Sequence, residues 1–172
     1  IVALSRTGEP LGAERQQVLL IGTHHENFKA MTVEGQDLRS QWGPDGKTLL
    51  YSVYSARSEF KPELWVTNAD GNSVDTSRRP LQLATWADKC AFADERTLYC
   101  GVPTSLELGV AFEPTLADSV PDQIYRINLQ TGQKTPLANV GNHTIKNLLI
   151  GDNGKTLYFT DKSQAGLFKV SL

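Results

Sequence analysis

The sequence predicts an all-β chain made of repeated four-stranded units, and three observations carry that expectation. The first is a recurring sentence. Trp42-Gly43-Pro44-Asp45-Gly46-Lys47-Thr48-Leu49-Leu50-Tyr51-Ser52 returns as Ile150-Gly151-Asp152-Asn153-Gly154-Lys155-Thr156-Leu157-Tyr158-Phe159-Thr160. One residue shorter, it is also Phe92-Ala93-Asp94-Glu95-Arg96-Thr97-Leu98-Tyr99-Cys100-Gly101. Each copy reads as the end of one strand, a tight turn and an apolar second strand, with Asp45-Gly46 supplying the left-handed backbone of a two-residue hairpin. The second observation is spacing: Thr48, Thr97 and Thr156 stand 49 and 59 residues apart, the longer interval holding an insertion over 102–122. The third is that no stretch has a sustained helical period, residues 104–118 alone having room for a short helical turn. Four short strands per unit of roughly 40–50 residues mark β-propeller blades. The alternative is a β-sandwich with regular turns; true internal repeats favour the radial architecture.

Taken in order, residues 1–16 are mixed, with Gly8, Pro10 and Gly12 marking irregular structure. Residues 18–23 match the apolar strand at 48–52, His24-His25-Glu26-Asn27 reads as the connection, and 28–33 alternates as a half-buried strand. The next unit has strands at 38–42, 48–53, 63–68 and 80–84, the last opening on Pro80, where a missing N–H is tolerated. The cycle repeats at 86–92, 97–101, 123–129 and 135–138, then at 144–150, 156–160 and 166–172. The expected blades are therefore a partial one over 18–37, complete ones over 38–84 and 86–138, and one over 144–172 that lacks its fourth strand. About three to four blades are too few for most closed rings, so the 172 residues read as one propeller domain or the C-terminal part of a larger propeller. Unpaired strand edges would then be met by further blades from an upstream segment or another chain.

Seventeen basic and nineteen acidic side chains give a net charge of −2, and Arg78-Arg79 is the densest basic run, which leaves no nucleic-acid footprint. No apolar run approaches the roughly 18 residues of a membrane helix. The chain opens on Ile1-Val2 without Met, so a targeting segment can precede it.

The turn with Asp-Gly-Lys, the apolar strand, then Leu64-Trp65-Val66 or Ile124-Tyr125-Arg126-Ile127, then Asp70-Gly71 or Thr131-Gly132, resembles the TolB-type, WD40-like β-propeller repeat. The resemblance covers about residues 35–172. The second copy lacks the Pro and Gly of the turn, and the third has Gly151-Asp152-Asn153-Gly154 in place of Ser-Pro-Asp-Gly. It speaks for fold and hardly for function, since propellers host unrelated activities. It implies a non-catalytic scaffold binding a protein or glycan partner at the cell envelope or outside the cell. The alternative is the accessory propeller of a larger hydrolase of the prolyl-oligopeptidase-like kind.

Several catalytic or cofactor readings fail on spacing. Gly46-Lys47-Thr48 and Gly154-Lys155-Thr156 resemble the end of a P-loop, but Gln41 and Leu149 stand where its first Gly belongs. No Gly-x-Ser-x-Gly elbow occurs. His24, His25 and Glu26 fall short of a zinc ligand set, solvated loop residues being the better reading. No catalytic residue, cofactor or metal is therefore expected. Cys90 and Cys100 fall opposite each other on neighbouring strands, which leaves a disulfide or two buried thiols as equal alternatives.

In a propeller, the loops between second and third strands and between blades share one face. That face would collect His24 to Glu26, residues 54–61, 103–121, Asp88, Asn142-His143 and Asp161-Lys162. The 103–121 insertion is expected to expose Leu106, Leu108, Val110, Phe112 and Leu116 among Glu107, Glu113 and Asp118. It either docks a partner or packs over the neighbouring blade. The partner-binding candidates are Arg57, Phe60, Glu107, Phe112, Glu113 and His143.

Overall fold

The structure, a computed structural model, describes residues 3–6, 14–26, 28–137 and 141–172. The stretch expected to be irregular at Gly8, Pro10 and Gly12, with Asn27 and Ala138, lies outside the described residues. Among the described residues fourteen strands form four antiparallel sheets. The first sheet holds β1 (Ala3–Arg6), β2 (Arg15–Ile21) and β3 (Met31–Glu34). The second holds β4 (Gln36–Trp42), β5 (Thr48–Tyr54), β6 (Glu63–Asn68) and β7 (Arg79–Pro80). The third holds β8 (Cys90–Phe92), β9 (Thr97–Pro103), β10 (Asp122–Asn128) and β11 (Lys134–Pro136). The fourth holds β12 (Ile145–Gly151), β13 (Thr156–Asp161) and β14 (Leu167–Ser171). Neighbours in each sheet are neighbours in sequence, the meander of a propeller blade.

The repeated turns work through a side chain more than through the expected pair of left-handed residues. Only Gly46 is left-handed in the first copy, at φ +64°. Asp45 does the rest: one carboxylate oxygen accepts the Lys47 and Thr48 amides at 2.9 and 3.0 Å, and the other accepts the Thr48 hydroxyl at 2.9 Å. Asp94 repeats this with the Arg96 and Thr97 amides at 2.7 and 2.8 Å, which is why that copy dispenses with glycine. Asn128 does the same after β10, accepting the Gln130 and Thr131 amides. The third copy differs, with Asp152, Asn153 and Gly154 all left-handed.

Burial distinguishes middle sheets from end sheets. In β5 the alternate residues Leu49, Tyr51 and Val53 pack with Val18, Leu20, Met31 and Val33 of the first sheet. Leu50, between them, packs with Leu98, Cys100 and Ile127 of the third. Likewise Leu98 and Cys100 face the second sheet, and Tyr99 faces Ile145, Leu148 and Leu157 of the fourth. A strand covered on both faces reads as a continuous apolar run, and β5 and β9 do. In β2 and β13 only every second residue is buried. Gly101 allows the close approach of β9 to β12, since a Cβ there would stand 2.8 Å from Ile145 Cδ1.

Some expected strands are shorter than the sequence suggests. The 80–84 strand is reduced to Arg79–Pro80 because Gln82 turns left-handed, at φ +52°, while Leu81 N and Leu83 O keep bonding Leu64 on either side. The 86–92 strand opens as a 3₁₀ turn, Ala87–Lys89, whose first amide is taken by Ser52 Oγ at 3.0 Å. The largest difference is at the start of the chain. Strand β2 leads through β3 and the single residue Gly35 into β4, so β3 is the last strand of its blade and β2 the one before it. Gly35 sits at φ +130°, and a Cβ there would lie 2.7 Å from Val53 Cβ, so the one-residue step requires glycine.

Candidate partner-binding face

Strand β4 opens with Gln36 opposite Tyr54, the last residue of β5, so the Gly35 step and the 55–62 loop share a face. The 104–121 insertion between β9 and β10, the 81–89 and 137–144 links and the turn after Asp161 join them there. His24, His25 and Glu26 do not. They follow β2, whose first residue Arg15 pairs with Glu34 beside Gly35, so the end of β2 points to the opposite face. That corrects their expected place; the cause is the strand position of β2. There His24 and Glu26 close a local turn, the Glu26 carboxylate accepting the His24 amide at 2.9 Å. Among the described residues no group of three or more His, Cys, Asp or Glu is placed to hold a metal ion.

The insertion is anchored at three places. Thr104 N donates to Pro121 O at 2.9 Å and closes its base. Val110 and Ala117, carried on the 3₁₀ turns Val110–Phe112 and Pro114–Ala117, are buried against Trp86, with Leu106 beside them. Val110 and Leu106, expected from sequence to be exposed, are thus anchors instead. The third anchor is the preceding blade: Gly109 N donates to Glu59 O and Ala111 N to Phe60 O, both at 3.0 Å. Glu59 and Phe60 are consecutive left-handed residues, φ +56° and +54°, a conformation costing non-glycine residues roughly 1–2 kcal/mol each. The loop is held in it by Ser58 Oγ, which accepts the Ser55 amide at 3.1 Å and donates to Lys61 O at 2.7 Å.

This docking brings Phe60 and Phe112 together, ring centroids 4.8 Å apart, with Tyr54 edge-on to Phe112 at 5.2 Å. The insertion therefore packs over its neighbour and still leaves Leu108, Phe112 and Leu116 exposed, at 73%, 59% and 61%. Arg57 reaches the other way, to Glu34 at 2.7 Å, where Arg15 also pairs at 3.3 Å; Arg57 first, then Arg15, hold the Glu34 carboxyl below its usual range. Glu107 and Glu113 lie along the insertion, Glu113 accepting the Thr115 hydroxyl. His143 joins a different cluster: it packs on Phe168 and Phe159, at 4.3 and 5.2 Å between centroids, and faces Asp161 at 3.1 Å. Asp161 caps the turn after β13. Burial pushes its carboxyl up, but the Ser163 and Gln164 amides, the Ser163 hydroxyl and the Thr144 amide outweigh it and hold the pKa at about 2.

Beneath this face lies a feature the sequence did not reveal. Lys89 Nζ donates to both oxygens of Asp122, at 2.9 and 2.7 Å, with both side chains almost wholly buried. Asp122 also accepts the Ile145 amide at 2.6 Å, and its own amide donates to His143 O, which ties the third blade to the fourth. Burial raises the Asp122 carboxyl and lowers the Lys89 ammonium, each opposed by the partner's charge. The partners are 33 residues apart, and no local pattern joins them. Cys90 and Cys100, directly opposite on β8 and β9, are joined as a disulfide with Cα atoms 4.0 Å apart.

No family model and no curated protein sequence matches the chain. Solved structures do. TolB from Acinetobacter baumannii is similar with a TM-score of 0.60 at 15% identity, over 92% of this chain and 36% of that one. The fold is a TolB-like β-propeller. An uncharacterized protein, lmo1340, from Listeria monocytogenes gives a TM-score of 0.60 at 10% identity, over 96% of this chain and 44% of its own. The tricorn protease gives 0.55 at 12% identity, over 98% of this chain and 19% of its own. The chain thus spans less than half the length of each of these three proteins, and identities this low speak for architecture alone.

Proposed function

We propose that this propeller is a non-catalytic scaffold that binds a protein or glycan partner through its long-loop face, at the cell envelope or outside the cell. The observation that carries the reading is the set Leu108, Phe112 and Leu116, held out to solvent on an insertion whose backbone is fixed on both sides. Apolar side chains on a rigid support lose little conformational entropy on binding, and aromatic residues are favoured as interface anchors. Similarity to TolB and the Cys90–Cys100 disulfide support an extracytoplasmic place, since disulfides persist in oxidising compartments. A photo-reactive residue at Leu116, in the protein expressed in its own cells, is expected to crosslink to one partner, and Phe112→Ser to abolish the crosslink. Equal crosslinking from Gln130 on the opposite face overturns the reading.

Similarity to the tricorn protease favours a second reading, the propeller of a hydrolase, with further blades supplied by the same polypeptide. Intact mass and peptide sequencing of the natural polypeptide separate the two: a Gly-x-Ser-x-Gly segment in the same chain supports the hydrolase.

A further inference from the structure

The opposite face, with the tight turns, carries a cleft of about 350 Å³ between the second and third blades. Its chemistry is unusual for this chain. Among the described residues Arg15, Arg39, Arg57 and Arg78 each have a carboxylate partner. Arg79 and Arg96 have none, and both line this one cleft; Arg126, likewise without an ion pair, lies in the neighbouring one beside Asp94. Arg79 is half-buried on β7, its backbone fixed by pairing with Val66. Arg96 sits in the turn that Asp94 caps, and its carbonyl accepts the Leu129 amide at 2.7 Å. Two guanidinium groups are thus presented from rigid backbone without a counter-ion of their own.

Two acidic residues share the cleft, and they differ. Asp45 has both oxygens committed to the Lys47 and Thr48 amides and the Thr48 hydroxyl, so it is turned into its own turn. Glu95 is exposed beside Arg96. The neighbouring cleft, between the third and fourth blades, has a single arginine, Arg126, and the Asp94 carboxylate in the same lining. The paired arginines therefore set the first cleft apart. Guanidinium forks match the planar oxygens of carboxylate and phosphate, and 350 Å³ is in the range of small-ligand sites.

We propose that this cleft is an oxyanion site that takes the carboxylate or phosphate group of a small ligand between Arg79 and Arg96. Glu95 moderates its affinity. The site is independent of the long-loop face and would act whether or not that face binds a partner.

The test is calorimetric titration of the full chain at low ionic strength with inorganic phosphate and, separately, with citrate. The expected result is a dissociation constant of about 1 mM for at least one of them. Binding of phosphate alone points to a phosphate-bearing ligand, and of citrate alone to a carboxylate. Arg79→Gln and Arg96→Gln should each weaken binding about 10-fold or more, as loss of a charge-assisted hydrogen bond does. Glu95→Gln should tighten it about 3-fold by removing a nearby like charge. Melting temperatures of the arginine variants should stay unchanged, because neither guanidinium has an internal partner to lose. No binding of either anion at about 20 mM, twenty times the expected constant, overturns the proposal. So does binding that survives both arginine substitutions.

Discussion

Replacing Asp122 by Asn tests whether the Lys89–Asp122 pair ties the third blade to the fourth. The change keeps one oxygen for the Ile145 amide and removes the charge that Lys89 faces through two bonds of 2.9 and 2.7 Å. The stranded ammonium is 4% exposed and keeps the Trp86 ring at 5.8 Å and the Asp88 charge as favourable neighbours. Removing one partner of a buried pair costs about 3–5 kcal/mol. There is also a ceiling: at pH 7 Lys89 can shed its proton, which costs about 1.4 kcal/mol per unit below 10.4, or about 4.6 kcal/mol. The expected loss for Asp122→Asn is therefore about 3–4.5 kcal/mol, read as a fall of roughly 1.5–2.3 M in the urea midpoint if the slope is about 2 kcal/mol per molar. Adding Lys89→Met removes the uncompensated charge, so the double variant should recover most of the loss. The sign with pH is also fixed. In Asp122→Asn the folded protein holds its Lys89 proton less tightly than the unfolded chain does, so stability should rise as pH goes from 7 toward 10. A loss under about 1 kcal/mol, or a double variant no more stable than Asp122→Asn, refutes the reasoning.

Reducing the Cys90–Cys100 bond, which spans 10 residues of sequence, should cost about 2.5–3 kcal/mol by loop entropy; non-reducing peptide mapping and urea unfolding with and without reductant check it. The Asp161 carboxyl, held at about 2, should contribute stability that is complete above the unfolded value near 3.9 and is lost as pH falls through 2. The stability gap between the protein and Asp161→Asn should accordingly narrow between about pH 4 and 2, and a gap that stays constant there refutes the assignment.

The blades were legible in the sequence because their signals are local. A strand buried on both faces needs a continuous apolar run, which β5 and β9 have. Turn positions were legible too, though through Asp45 and Asp94 as caps rather than through paired left-handed residues. What could not be read was phase and pairing. Residues 15–21 have the composition of any propeller strand, and only the one-residue step at Gly35 shows that β2 is the last strand but one, with His24 and His25 on the opposite face. On the insertion, Val110 and Phe112 are two residues apart with similar apolar character; the 3₁₀ turn sends one to Trp86 and leaves the other in solvent. Lys89 and Asp122 carry no mark of burial, because their partnership exists only once the 81–89 link and β10 have met.

Apart from Asp161, which caps its own turn on the long-loop face, the acidic residues named on the two faces are used differently, and this bears on where positive charge is left over. On the long-loop face carboxylates join separate segments: Glu34 holds Arg57 and Arg15, Asp88 holds Arg39, and Asp118 holds Lys162. Those paired charges cancel between neighbours, which leaves the apolar trio of the insertion for a partner, with Glu107 and Glu113 beside it. On the tight-turn face Asp45 and Asp94 cap the amides of their own hairpins, a job that short turns without two glycines impose. A carboxylate spent on backbone amides has fewer lone pairs for a guanidinium. Arg79 and Arg96 are left without partners for that reason. The repeat that builds each blade thus also creates, between the second and third, a cleft with two cationic donors that form no ion pair with the acidic residues lining it.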